Sequence, residues 1–313
     1  MNQQEAAKAQ FVRTTFARIV PRYDLVNWLM TLGLDRRWRK ATVELVRPQS
    51  AVTLDLATGT ADLAIELARQ GSRTVVGLDF CPEMLEAGRA KVAARGLEQV
   101  ISLAAGDALA LPFDADTFDA AVNAFALRNV ANLPRTFAEL CRVLRPGGRL
   151  GCLDLTPPRG PLKGFFGLYI NRMVPLLGAV AGGDLPAYRY LAESLRAHPE
   201  ADRLKRMLDE AGFVQTGYRL VGFGTVAIHY GVKPARPSRA ESRGARASPQ
   251  KPSSKRFKRC QQRSCGERLT EGSDDGAKKP STEEAEQPQK TYRVARRGPR
   301  RRPGRPPVLA PAR

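Results

Sequence analysis

Three aspartates sit where short apolar runs give way to turns: Asp55 in LDLATGTAD, Asp79 in GLDFCPE and Asp107 in GDALALP. Only Gly59 is a glycine in the first of these turns, whereas a turn that seats a dinucleotide pyrophosphate needs three. Asp55 and Asp62 would also place negative charge beside any phosphate. The chemistry they suit is a nucleoside without phosphate. Asp79, 24 residues after Asp55, can accept hydrogen bonds from two ribose hydroxyls. Asp107 can accept from an exocyclic adenine amine, with the backbone of Ala108 beside it and Met84 and Leu109–Leu111 as apolar walls. Asp55 and the backbone at Gly59–Thr60 can hold a cationic amino-acid end. An adenosine carrying a sulfonium, as in S-adenosylmethionine, meets all these demands. One such aspartate alone would read as a helix cap or turn residue, which is how we take Asp62 and Asp114.

Positioning these residues requires an alternation of strands and helices. Apolar runs at Ala51–Ala57, Arg73–Asp79, Val100–Ala105, Phe118–Phe125 and Gly148–Leu155 read as strands, with helices at Asp62–Gln70, Pro82–Arg95 and Leu133–Leu144 between them. Continuous apolar strands separated by helices predict a mostly parallel sheet covered on both faces. Phe213–Val221 and Thr225–Val232 read as an antiparallel pair closing one edge. The expected fold is thus α/β and Rossmann-like: seven strands, mostly parallel, with an antiparallel edge strand. Helices over 4–19 and 35–47 form an N-terminal cap (residues 1–48), and a helical insert spans 162–211. Both additions can cover the carboxyl edge of the sheet, where ligands of open α/β folds bind.

The chain has 313 residues and a formal net charge of +20, unevenly spread. Residues 1–233 hold 29 Lys+Arg against 23 Asp+Glu, while residues 234–313 hold 22 against 8 and 11 of the 23 prolines. The latter stretch has too few apolar residues to offset the entropy of ordering, and reads as a disordered basic tail after a single domain at 1–233. Its KRFKR and RRGPRRRPGR runs suit polyanions or anionic lipid, although no nucleic-acid-binding module is visible and nucleic acid is not an expected partner. Its abrupt composition also fits translation in a shifted frame past a natural stop. Cys260 and Cys265 lack the further ligands of a zinc site, and no metal is expected. No run of 18 apolar residues and no signal peptide is present, and five cysteines make no disulfide scaffold, so a cytoplasmic protein is expected. Oligomeric state is not legible.

These residues and their flanks resemble the ubiquinone/menaquinone biosynthesis C-methyltransferases over residues 9–233. RYDLVNWLMTLGLDRRW (Arg22–Trp38) and RVLRPGGRLGCLDLT (Arg142–Thr156) are similar to that family's two signatures. DLATGTADLA, GLDFCPEML, GDALALPF and AFALRNV match its cofactor and active-site blocks. Val26, Thr31 and Asp35 depart from the first signature and Asp154 and Thr156 from the second. Asp35 stands where a His or Gln is usual, and Ala124 where some relatives carry Ser. The resemblance implies a class I methyltransferase that uses S-adenosylmethionine, without a metal, to methylate a ring carbon of a polyprenylated quinol. The acceptor would be demethylmenaquinol, a 2-methoxy-6-polyprenyl-1,4-benzoquinol, or both. It carries cofactor contacts onto Thr60, Asp79, Asp107 and Ala108, joined by Asp55 and Gly59 from the residue reading.

A quinol carbon becomes nucleophilic when a neighbouring hydroxyl loses its proton, so a base or a cation near the phenolate is useful. Arg128 is the first candidate, directly or through a water. Asn129 can bond a ring oxygen, Tyr23 and Tyr190 can orient the ring, and His229 is a candidate base. Each has a plainer reading: Arg128 as partner of an acid, His229 as a satisfied core residue, Tyr23 and Trp38 as packing anchors. The apolar, interrupted stretch Pro161–Gly183 can line a groove for the polyprenyl chain, rest peripherally on a membrane surface, or simply face the core. The implied substrate favours the groove.

Overall fold

A computed structural model describes residues 2–157, 162–168, 172–173, 176 and 185–235. The basic tail from 236 on, with its two cysteines, and most of 158–184 lie outside the described residues.

Seven strands form one sheet: β1 (Val52–Leu56), β2 (Thr74–Asp79), β3 (Ile101–Ala105), β4 (Phe118–Ala124), β5 (Leu144–Leu155), β6 (Val214–Val221) and β7 (Val226–Val232), in the order β3-β2-β1-β4-β5-β7-β6. β1 to β5 pair in parallel. β7 runs antiparallel to both β5 and β6, so the hairpin closes one edge with its second strand tucked inside. The β1 residues VTLDL are all buried, as the central strand of a doubly covered sheet requires.

Helices α2 (Asp35–Val46), α3 (Asp62–Arg69) and α4 (Pro82–Ala93) cover one face, where Val43, Val46, Leu63, Ile65, Leu67 and Val92 meet Val75, Ile101, Ala120 and Val122. On the other face α5 (Leu133–Val143) and α8 (Ala201–Glu210) bring Phe137, Leu140, Leu204 and Leu208 onto Leu54, Leu56, Leu78, Phe118 and Leu150. Apolar burial on both faces is the main stabilising term. Within 162–211 the described helices are α6 (Leu162–Leu168), α7 (Leu185–Ala197) and α8.

The first helix differs from the expectation. Instead of ending by residue 19, α1 runs from Gln3 to Thr31 through Pro21. Its start is fixed by a capping box, in which Asn2 accepts from the Glu5 amide and Glu5 from the Asn2 amide. Val12, Thr15 and Ile19 before the proline and Val26 after it are buried on the same side, so packing holds both halves despite the missing donor. The strand expected at Gly148 likewise begins at Leu144, because the turn Pro146-Gly147-Gly148 interrupts its pairing with β4 between Phe118 and Ala120 and the strand resumes at Arg149.

Candidate functional site

The chain order places β2 and β3 on one side of β1 and β4 on the other, so a crevice opens at the carboxyl ends between β1 and β4. A cavity of about 690 Å³ lies there. Its floor is built from the residues at or just beyond each strand end: Gly59 after β1, Asp79, Phe80, Cys81 and Met84 at the end of β2, Gly106 to Leu109 after β3, and Ala124 to Ala126 with Asn129 after β4. Its roof is α1, through Ala6, Ala9, Val12, Arg13, Phe16 and Tyr23.

Of the expected cofactor residues, Gly59, Asp79, Asp107 and Ala108 line this cavity. Asp79 is buried and its two oxygens accept from the backbone amides of Gly59 (2.8 Å) and Cys81 (3.0 Å). Each oxygen keeps a lone pair for a ligand. Burial raises the Asp79 carboxyl above its ordinary pKa, and the amide bonds oppose that rise. Gly59 has φ +55° and open space where a Cβ would project, so the backbone can be approached closely. Asp107 accepts from the Leu109 amide at 2.9 Å. Met84 and Leu109 form apolar wall as expected, whereas Leu111 belongs to the core beneath.

Asp55 and Thr60 occupy a smaller polar recess that shares Tyr23, Ala57, Gly59 and Ala124 with the main cavity and adds Arg39, Thr58 and Asp62. Asp55 lies 1% exposed, accepts from the Thr58 hydroxyl at 2.6 Å through Oδ2, and has no partner at Oδ1. Burial pushes its carboxyl up to about 7. Thr60 donates to Asp24 (2.7 Å) and accepts from Lys91 (2.9 Å). Lys91 also pairs with Asp24 and Asp62, which ties α1, the β1 turn and α4 together. Arg39, Lys91 and Asp24 escaped the residue reading. The i,i+4 spacing of Asp35 and Arg39 on a helix was the available signal for the first.

At the opposite end of the cavity Asn129 is a wall residue and its Oδ1 accepts from the Tyr190 hydroxyl at 3.3 Å. Tyr190 meets Phe11 of α1 edge-on, at 5.1 Å between ring centroids. Burial raises both the Tyr23 and Tyr190 phenols, while Arg128 pulls each the other way. The Arg128 side chain is 7% exposed and pairs with Asp154 at 2.6 Å, leaving Nε without a partner. Arg128 is not among the residues that line the cavity.

His229 is not brought to the cavity. It is 2% exposed in β7, its Nε2 lies 2.9 Å from the Ala201 carbonyl, and burial lowers its pKa to about 4. The other histidine, His198, is buried near the Arg128–Asp154 pair, with its pKa lowered by burial. Among the described residues no group of His, Cys, Asp or Glu is arranged to hold a metal ion, and no helix is long and apolar enough to cross a membrane.

Strand order and a carboxyl-edge pocket of acids define the class I methyltransferase fold. The same fold recurs in an O-methyltransferase family protein from Burkholderia thailandensis (TM-score 0.52, 16% identity, 68% of this chain and 60% of that one). It recurs too in a putative S-adenosyl-L-methionine-dependent methyltransferase from Methanococcus maripaludis (TM-score 0.51, 17% identity, 70% and 94%).

The sequence narrows this class: residues 3–233 match the model of the ubiE/COQ5 methyltransferase family, and the chain belongs to it. It is 46% identical over 229 residues to a demethylmenaquinone methyltransferase of Roseiflexus castenholzii, covering 72% of this chain and 94% of that one. A protein of the same name from Thermus thermophilus is 47% identical over 225 residues, 70% and 100%. The ubiquinone/menaquinone biosynthesis C-methyltransferase UbiE of Geobacter sulfurreducens is 38% identical over 230 residues, 72% and 90%.

Proposed function

We propose that this protein methylates a ring carbon of a polyprenylated quinol with S-adenosylmethionine, with demethylmenaquinol as its acceptor. The observation that supports this reading is a single cavity lined by Asp79 and Asp107 beyond β2 and β3 and by Asn129 beyond β4, with Tyr190 bonded to Asn129. The names of the most similar relatives favour demethylmenaquinol. The ubiquinone precursor is the second acceptor, on the strength of relatives named for both pathways.

The residues present fit the cofactor. Asp79 would accept from the ribose hydroxyls through its remaining lone pairs, and Asp107 with the Ala108 backbone would meet the adenine. Asp55, Gly59 and Thr60 would take the amino-acid end. When bound, the cofactor supplies a methyl on a sulfonium that is already electrophilic, which asks the protein for alignment and exclusion of water rather than a Lewis acid. Asn129, steadied by Tyr190, orients a ring oxygen of the acceptor. Arg128, fixed by Asp154, places positive charge near that oxygen and favours its deprotonated form. Tyr23 and Phe16 of α1 close the ring's other side. The polyprenyl chain would leave along the apolar part of α1 and the insert, at a peripheral membrane contact.

The test is methyl transfer by the full chain from labelled S-adenosylmethionine to demethylmenaquinol and to the benzoquinol, side by side. Label in the first ring supports the proposal. Label in neither ring defeats it.

A further inference from the structure

Lys91 lies on α4, outside the walls of the cavity, yet its ammonium is fully committed. Its Nζ reaches Asp24 Oδ2 at 2.5 Å, Asp62 Oδ1 at 2.8 Å and the Thr60 hydroxyl at 2.9 Å. Those are three acceptors for three N–H donors. The Thr60 hydroxyl in turn donates to Asp24 Oδ1 at 2.7 Å, so a closed ring of bonds joins α1 to the β1 turn and to α4.

This ring grips α1 at a sensitive point. Asp24 follows Tyr23, which lines both the cavity and the polar recess. Pro21, three residues before Asp24, has no N–H to give the helix, so α1 is weakest just ahead of the ring. Near its start α1 is clasped to the segment after β4, where Lys8 donates to the Val130 carbonyl at 2.7 Å and Asn132 to Glu5 at 3.0 Å. The roofing residues Ala9, Val12, Arg13 and Phe16 span the gap between these two fastenings.

We propose that Lys91 is a positioning residue for the methyl transfer, holding α1 down over the ends of β1 and β2 through Asp24, and that the Thr60 hydroxyl belongs to this fastening and leaves only the Thr60 backbone to the cofactor. Without the ammonium, Asp24 and Asp62 are two like charges that repel, and α1 lifts. A loosened roof admits water and lets the acceptor ring tilt, which slows transfer although no reacting atom is touched. The inference rests on the proposed cofactor site and adds what holds that site shut.

The test measures S-adenosylhomocysteine association and dissociation by stopped flow on the full chain, beside steady-state methyl transfer to demethylmenaquinol. Lys91→Met should speed both association and dissociation at least about fivefold, keep affinity within about threefold and lower kcat at least about tenfold. Lys91→Arg, which keeps the charge, should restore most of kcat. Thr60→Val, close in shape to the native residue, should move the two rates the same way if Lys91→Met does not fold. Binding rates and kcat within about twofold of the unaltered protein would overturn the proposal. So would an affinity loss carried by dissociation alone, which would place these side chains against the ligand. Failure of the unaltered protein to bind S-adenosylhomocysteine would overturn the cofactor site on which the proposal rests.

Discussion

Asp79 holds the β1 and β2 turns together as well as facing the cavity, since one carboxylate takes amides from both Gly59 and Cys81. Asp79→Ala should therefore weaken S-adenosylhomocysteine binding by at least roughly tenfold, as two charged hydrogen bonds to a ribose are lost. Unchanged affinity by calorimetry would put the ribose elsewhere. Asp55 makes a pH prediction. Its folded pKa of about 7 lies above the ordinary value of 3.8, so the folded state holds the proton more tightly. The stability it contributes is full below about pH 4 and is lost as pH rises through 7. Asp55→Asn should thus gain on the unaltered protein across that window, by up to about 4 kcal/mol in urea unfolding. A constant difference would contradict the buried carboxyl whose Oδ1 has no partner. His229 has the opposite sign. Its folded pKa of about 4 lies below 6.5, so stability is full above 6.5 and lost as pH falls through 4, by about 3 kcal/mol. His229→Gln should flatten that acid limb while leaving the pH profile of kcat unchanged. A shifted kcat profile would return His229 to the chemistry.

Among the secondary-structure elements, the strands and most helices were legible because their residues repeat the burial pattern that the sheet imposes. The acids at three strand ends were legible for the same reason: a strand ends where its side chain must meet a ligand or a turn. The helix expected to end at residue 19 continues because the burial of Ile19 and Val26 on one side outweighs the helical bond lost at Pro21. Arg39 and Lys91 stayed hidden because the groups they serve lie on other elements, which no local pattern announces. Arg128 was legible as a charged residue beside the β4 turn, but only the fold showed that Asp154, 26 residues away, holds it. The β2 strand offers a check on how tightly these elements fit. A Cβ at Gly77 would fall 2.9 Å from the Thr58 hydroxyl and still nearer to Leu103, and that hydroxyl steadies Asp55. Gly77→Ala should cost about 1–3 kcal/mol of stability through overpacking. An unaltered melting temperature would show that the strand and turn are looser than described.

Along the full chain, the family match ends at residue 233, and β7 ends one residue earlier at Val232. Lys233 fastens that end, donating to Asp116 at 2.7 Å and to the Leu144 carbonyl at 2.6 Å. A chain ending at residue 235 should keep both the melting transition and the methyl transfer of the full chain. Loss of transfer with folding intact would give the basic stretch a part in the reaction. Adenosine and quinol, on this reading, sit end to end in one cavity. A structure with S-adenosylhomocysteine bound would decide the matter. Ribose hydroxyls are expected on Asp79, adenine at Asp107–Ala108, and the sulfur directed toward Asn129. A nucleoside found away from the ends of β1, β2 and β3 would refute the shared cavity.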